Sequence, residues 1–131
     1  MKSPLLAFNI MQQKKAKLRR RADKLLQQLF VELNPKCFLC PKPTSCGHHY
    51  YPKSRCSALR YDFQNLINLC VGHHLHHHAG DPSVHNKINQ IKGKAWLEEL
   101  EAKKRNISVK TDIKYYENII ENLKKSEHLT D

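Results

Sequence analysis

No apolar run in this chain approaches the roughly 20 residues needed to cross a bilayer as a helix, so no membrane-spanning helix is expected. The start of the sequence does not read as a secretory signal either. The opening text, MKSPLLAFNIM, has a short apolar stretch, but Pro4 and Asn9 interrupt it. A basic polar segment follows and no small-residue cleavage site does. Acidic residues are scarce: 12 Asp and Glu face 23 Lys and Arg, giving a formal charge of +11 and a pI near 9.6. That excess suits a polyanionic partner, nucleic acid first. There is no internal repeat. At 131 residues the chain is one domain, or one domain with a helical arm.

What is present is concentrated. All five cysteines and seven of the nine histidines fall in residues 37–78, CFLCPKPTSCGHHYYPKSRCSALRYDFQNLINLCVGHHLHHH. Cys37-x-x-Cys40 and Cys70-x-x-His73 have the spacing of a zinc knuckle, three thiolates and one imidazole around a tetrahedral structural ion. Cys46 is the rival for the fourth position. Cys56 has no partner spacing and reads as a small packed residue. Thiols at knuckle spacing without a secretory signal argue for a reducing cytoplasm and metal binding over disulfides.

A second ligand set overlaps the first. His48-His49 lies at the end of an expected strand over residues 46–51, where neighbouring side chains point to opposite faces. His74 and His78 are four apart, so on a helix they can chelate one ion. His73 with His77 is the alternative pairing. A metal on imidazoles beside a basic imidazole suits phosphodiester hydrolysis: the base activates water and the ion stabilises charge on the phosphate.

Around this centre the pattern is helical. Residues 1–11 read as irregular or as a short docking segment. A helix is expected over residues 12–33, with Leu18, Ala22, Leu25, Leu26, Leu29, Phe30 and Leu33 as its apolar stripe. Its start carries Lys14, Lys15, Lys17, Arg19, Arg20, Arg21 and Lys24, a run that reads either as a solvated face or as a phosphate-contacting one. Lys53, Arg55 and Arg60 sit in the loop after the strand, available for phosphates. Tyr61 and Phe63 either stack on bases or, as expected here, are buried under the knuckle. Residues 66–69 form a second short strand and residues 71–79 a metal-binding helix. Gly80-Asp81-Pro82 stops one helix and starts the next, which runs to about Arg105 with a break near Gly93. His85 reads as structural or DNA-facing. Thr111 is expected to cap a last helix with Ile113, Tyr116, Ile120 and Leu123 on one face, packed on the arm helix or on a second protomer.

The order Cys-x-x-Cys, His-His, Asn, Cys-x-x-(Cys/His)-His resembles the HNH (His-Me finger) nucleases with an embedded zinc knuckle. The flanking text HHYYPKS, SALRYD, NLINLC and GDPSVH is similar, more narrowly, to phage recombination endonucleases of the NinG (Rap) type and related phage HNH proteins. The resemblance implies an α+β fold: a ββα-metal core with an inserted zinc knuckle, flanked by N- and C-terminal helices. It implies His49 as general base and His48 as a ligand of the catalytic ion, with His74 and His78 as the helix ligands. Asn65 would be the central Asn that braces the loop or binds the metal. The family usually has a knuckle Cys where this chain has His73. An all-imidazole catalytic site favours Zn²⁺, Ni²⁺ or Mn²⁺ over Mg²⁺, which prefers oxygen.

The expected organisation is a basic helical arm (1–35), the knuckle and HNH core (36–80) and a C-terminal helical region (81–131). The expected partner is DNA, duplex or branched, with a homodimer where both strands are cut at one place. The rival is a zinc-dependent DNA-binding module without catalysis. It explains the charge and the cysteines, but it gives no reason for the histidine doublet or for the spacing to Asn65.

Overall fold

The structure is a computed structural model and describes residues 3–127. It is α+β, with five α-helices: α1 (Pro4–Leu33), α2 (Val71–His78), α3 (Pro82–Lys92), α4 (Lys94–Asn106) and α5 (Ile113–Glu127). Its strands, β1 (Cys46–His49) and β2 (Leu66–Leu69), form one antiparallel pair. Single 3-10 turns cover Ser57–Leu59 and Phe63–Asn65. Among the described residues no helix is long and apolar enough to cross a membrane.

Two compact units result. One joins the described residues up to Leu29 with those from Lys110 onward. Its buried apolar residues are Ala22, Leu26 and Leu29 on α1 and Tyr116, Ile120 and Leu123 on α5, three- and four-residue steps on each helix. Two sequence expectations fail here. The segment read as irregular is helical from Pro4, because Ser3 caps it: the Leu6 N–H donates to Ser3 Oγ at 3.1 Å. Pro4 then occupies the first helical position, where a missing N–H costs nothing. The last helix is capped by Asp112 in place of Thr111, its carboxylate accepting from the Tyr115 N–H at 2.9 Å.

The other unit, Phe30–Val109, carries the sheet. In register, Cys46 pairs with Leu69, Gly47 with Asn68, His48 with Ile67 and His49 with Leu66. Gly47 permits a close approach here. A Cβ at this position would lie 2.7 Å from Cδ2 of the buried Phe30. Ile67, Leu69, Val84 and Ile88 form one core cluster together with Cys37 and Cys70. Cys56, Leu59 and Leu100 form a second, so Cys56 is the packed residue expected. Tyr50 and Trp96 border both clusters. Asp81 caps α3 by accepting from the Ser83 N–H at 2.9 Å. Gly93, at φ +87°, separates α3 from α4 in a conformation that L side chains disfavour.

β1 stops two residues earlier than expected. Beyond His49 the Tyr50 N–H donates to the Asn65 carbonyl at 2.8 Å, and Tyr51 is held by the Asn65 side chain. Phe63 is not under the knuckle. Its ring meets Phe30 edge-on at 5.7 Å, while Arg60 lies over Tyr61 at 5.9 Å.

Candidate metal centres and active site

The first centre is built by the loop before β1 and the start of α2. The Cys37 N–H donates to Lys42 O at 2.8 Å and the Phe38 N–H to Asn68 O at 2.7 Å, tying the Cys37–Cys40 turn to β2. Cys70 caps α2, its sulfur accepting from the His73 N–H at 3.5 Å. One ligand atom from each of Cys37, Cys40, Cys70 and His73 falls within 4.8 Å of all the others. The Cys40–Cys70 Sγ separation is 3.7 Å and the Cys37 Sγ to His73 Nδ1 separation 3.6 Å. A tetrahedron with Zn–S near 2.3 Å and Zn–N near 2.05 Å has edges of about 3.8 and 3.6 Å. The Cys70–His73 edge, 3.2 Å, is slightly short. The donor set and its spacing therefore fit zinc. The Cys70 thiol is pushed down to about 6, chiefly by the backbone N–H of His73 and also by the surrounding ligands, so it is readily a thiolate. Cys46 stands outside the cluster, opposite Leu69, and burial pushes its thiol up.

The second centre is formed by β1 and α2. Alternation along β1 sends His48 and His49 to opposite faces. His48 meets α2, and its ligand atom lies within 4.8 Å of those of His74 and His78. The His74 and His78 Nε2 atoms are 2.8 Å apart, so one ring donates to the other. That separation is near the roughly 3.0 Å cis edge of an octahedral site with 2.1 Å bonds and short of the roughly 3.4 Å tetrahedral edge. Burial pushes His48 down to about 3, with His77, His74 and His78 adding repulsion against its protonation. His74 is lowered for the same reasons. Neutral imidazoles are the metal-binding form, so the donor set fits a divalent ion. His77 does not pair with His73. Its ring sits edge-on to His48 at 4.4 Å, and its Nδ1 is buried without a hydrogen-bond partner.

His49 turns the other way. Its Nε2 lies 2.9 Å from the Arg60 carbonyl. A carbonyl only accepts, so Nε2 carries the proton and the basic lone pair is on Nδ1.

Asn65 is fully buried and supports this arrangement. Its Oδ1 accepts from the Tyr51 N–H at 2.8 Å, and its Nδ2 donates to Tyr51 O at 3.1 Å and to Leu59 O at 3.2 Å. It thus clasps both ends of the loop between His49 and Arg60. All three of these side-chain hydrogen bonds go to backbone groups of that loop.

Sequence reasoning passed over several supports. The Tyr50 O–H donates to Asn89 Oδ1 at 2.6 Å, and its ring stacks on His85 at 5.2 Å and meets Trp96 edge-on at 5.0 Å. The Trp96 indole N–H donates to Gln64 O at 3.1 Å. These contacts bind the loop after His49 to α3 and α4. Their only sequence signal was aromatic character.

Of the cations, Lys53 and Arg55 are exposed and Arg60 is half-buried. On α1, Lys14, Lys17, Arg20 and Arg21 are exposed, and Lys15 and Arg19 partly so. Arg21 shares a groove with Glu117 and Glu121. Comparison with protein-family models, curated proteins and solved structures finds no match to this chain.

Proposed function

We propose that this chain is a metal-dependent DNA endonuclease of the HNH type, built on a ββα-metal core with an inserted zinc knuckle. One observation carries the reading. Two adjacent strand residues have opposite assignments: His48 joins His74 and His78 in a three-imidazole cluster, while His49 is oriented by a backbone carbonyl. A structural zinc knuckle alone requires neither.

In this reading His49 Nδ1 takes a proton from water as that water attacks phosphorus in line. The Arg60 carbonyl fixes the ring during attack and stabilises the imidazolium that forms, as a hydrogen bond to a charged donor does. Asn65 holds the loop so that this carbonyl stays in place. His48, His74 and His78 hold the divalent ion, and burial, which lowers His48 and His74, favours the neutral, metal-binding form of those two rings. That ion, when bound, neutralises charge on the phosphate and on the departing 3′ oxygen. Cys37, Cys40, Cys70 and His73 hold a structural zinc that fixes α2 against the sheet. Lys14, Lys15, Lys17, Arg19, Arg20 and Arg21 on α1, with Lys53, Arg55 and Arg60 in the loop, supply attraction for DNA. By resemblance, the products carry 5′-phosphate and 3′-hydroxyl ends, and the setting is phage DNA recombination or processing, on duplex or branched DNA, in the host cytoplasm.

Nicking of supercoiled plasmid with Mn²⁺, Ni²⁺, Zn²⁺ or Mg²⁺ tests the reaction. His49→Ala should lower cleavage by roughly 10² to 10⁴ while DNA binding persists. His48→Ala should lose activity that extra Mn²⁺ partly restores. Full activity in both variants, or no cleavage with any ion, leaves a DNA-binding module. Matched duplex, single-stranded and four-way-junction DNA then rank the substrates.

A further inference from the structure

A groove of about 250 Å³ is lined by residues of the loop that carries Arg55 and by the end of α4 with the residues after it. Arg55, Ser57, Lys104 and Ser108 line it, with Ile107 and Val109 as apolar lining, and no carboxylate does. Arg55 and Lys104 are exposed, and among the described residues neither has a carboxylate partner. The neighbouring Lys103 differs, being neutralised by Asp62 at 2.8 Å. The Lys104 ammonium is held over the Tyr51 ring, 4.6 Å from its centre. The C-terminus of α4 contributes about half a negative charge, which Lys104 and Arg105 in its last turn outweigh.

Two uncompensated cations of different kinds and two hydroxyls suit a tetrahedral oxyanion. The Arg fork can bind two oxygens, the Lys acts as a point charge and the hydroxyls donate singly. The apolar lining suits the carbon skeleton of an attached sugar. The groove is also tied to the candidate base. Ser57 O accepts from the Arg60 N–H at 3.3 Å, and Arg60 O holds His49. One 3-10 turn separates Ser57 from Arg60, about 6 Å of rise. Successive phosphates on a strand advance about 3.4 Å along the axis, so the groove lies within a few nucleotide steps of His49.

We infer that this groove binds a backbone phosphodiester of nucleic acid close to the one that is cut. The identity of the cut phosphate rests on the nuclease reading; the anion site does not. The test uses the full chain carrying one structural zinc equivalent, in the His49→Ala background so that nothing is cleaved. Amide resonances of residues 55–58 and 104–109 are followed by NMR during titration with inorganic phosphate and, separately, with a short DNA duplex. Both should shift this set, the duplex saturating it at concentrations at least tenfold lower.

In parallel, duplex binding is measured against salt by fluorescence anisotropy for Arg55→Gln/Lys104→Gln. A control, Lys36→Gln/Lys42→Gln, removes the same charge from exposed positions outside the groove. The groove variant should reduce the slope of log K against log salt by about 1.8, and the control by much less. Equal reductions in both, or no shift in the groove resonances, overturn the inference. Saturation by inorganic phosphate at the same concentration as by duplex overturns the diester assignment and makes this a free-phosphate site. Loss of plasmid cleavage in the wild-type chain would sink the nuclease reading while leaving these binding results to stand or fall alone.

Discussion

Replacing Asn65 distinguishes a bracing residue from a metal ligand. Asn65→Ala removes three side-chain hydrogen bonds inside a fully buried site. Each contributes roughly 1 kcal/mol net, and the Tyr51 peptide and Leu59 carbonyl left unpaired add desolvation cost, for a loss of about 3–5 kcal/mol. With a urea slope of about 1–3 kcal/mol per molar, the unfolding midpoint should fall by roughly 2 M. Asn65→Asp is the sharper variant. It keeps the acceptor for the Tyr51 N–H but turns a second oxygen on two carbonyls that need a donor. Ionised, that oxygen is repelled; protonated, it serves only one of them. The expected loss is at least about 2 kcal/mol despite near-identical shape. Urea unfolding at fixed zinc measures this, and plasmid nicking should fall with it because the Arg60 carbonyl loses its fixed position. A metal-binding Asn65 would behave in the opposite way, since Asp is the better ligand. A wild-type midpoint with undiminished cleavage in Asn65→Asp would refute the bracing argument.

The histidine cluster makes stability pH-dependent. His48, His74 and His77 are all lowered from their ordinary value, chiefly by burial, His48 to about 3. The unfolded chain therefore binds more protons below about pH 6.5, and native stability without a catalytic ion should decline as pH falls from there towards 3. His48→Phe should flatten that decline in thermal melts, and an unchanged slope would count against the buried neutral His48. Gly47→Ala should cost about 1–3 kcal/mol, because its Cβ would meet Phe30 at 2.7 Å, and would show as a lowered melting temperature. Cys70→Ser and His73→Ala should each lose the structural zinc equivalent by metal analysis, whereas Cys46→Ser and Cys56→Ser should retain it; zinc loss in Cys46→Ser alone would reverse the ligand assignment. Replacing Arg19, Arg20 and Arg21 with Ala should lower the salt slope of DNA binding by up to about 2.7 if all three touch phosphates, and an unchanged slope would remove α1 from the interface.

Local chemistry made much of this legible in the sequence. The knuckle spacing named Cys37, Cys40, Cys70 and His73, because two short chelating turns need no tertiary information to be recognised. The four-residue step named His74 and His78, because a helix face is a local property. The Gly80-Asp81-Pro82 stop and the break at Gly93 follow from backbone preference. Where sequence reasoning failed, a nearby competitor decided the outcome. Ser3 capped a segment read as irregular, Asp112 capped in place of Thr111, and the Asn65 side chain captured Tyr51 before β1 could extend to it. Other questions had only a tertiary answer. Which of two adjacent histidines faces α2 depends on the register of β1 with β2, since a slip of one residue would exchange them. Sequence names His73 by spacing but leaves Cys46 as its rival; the pairing of Cys46 with Leu69 leaves it outside the thiolate cluster that His73 joins. The carbonyl that orients His49 comes from a residue 11 positions away, and the Lys104 that joins Arg55 of the loop in one groove comes from α4. Spacing along the chain carries none of this, because these atoms meet only after the loops have closed and the core has excluded water around Asn65.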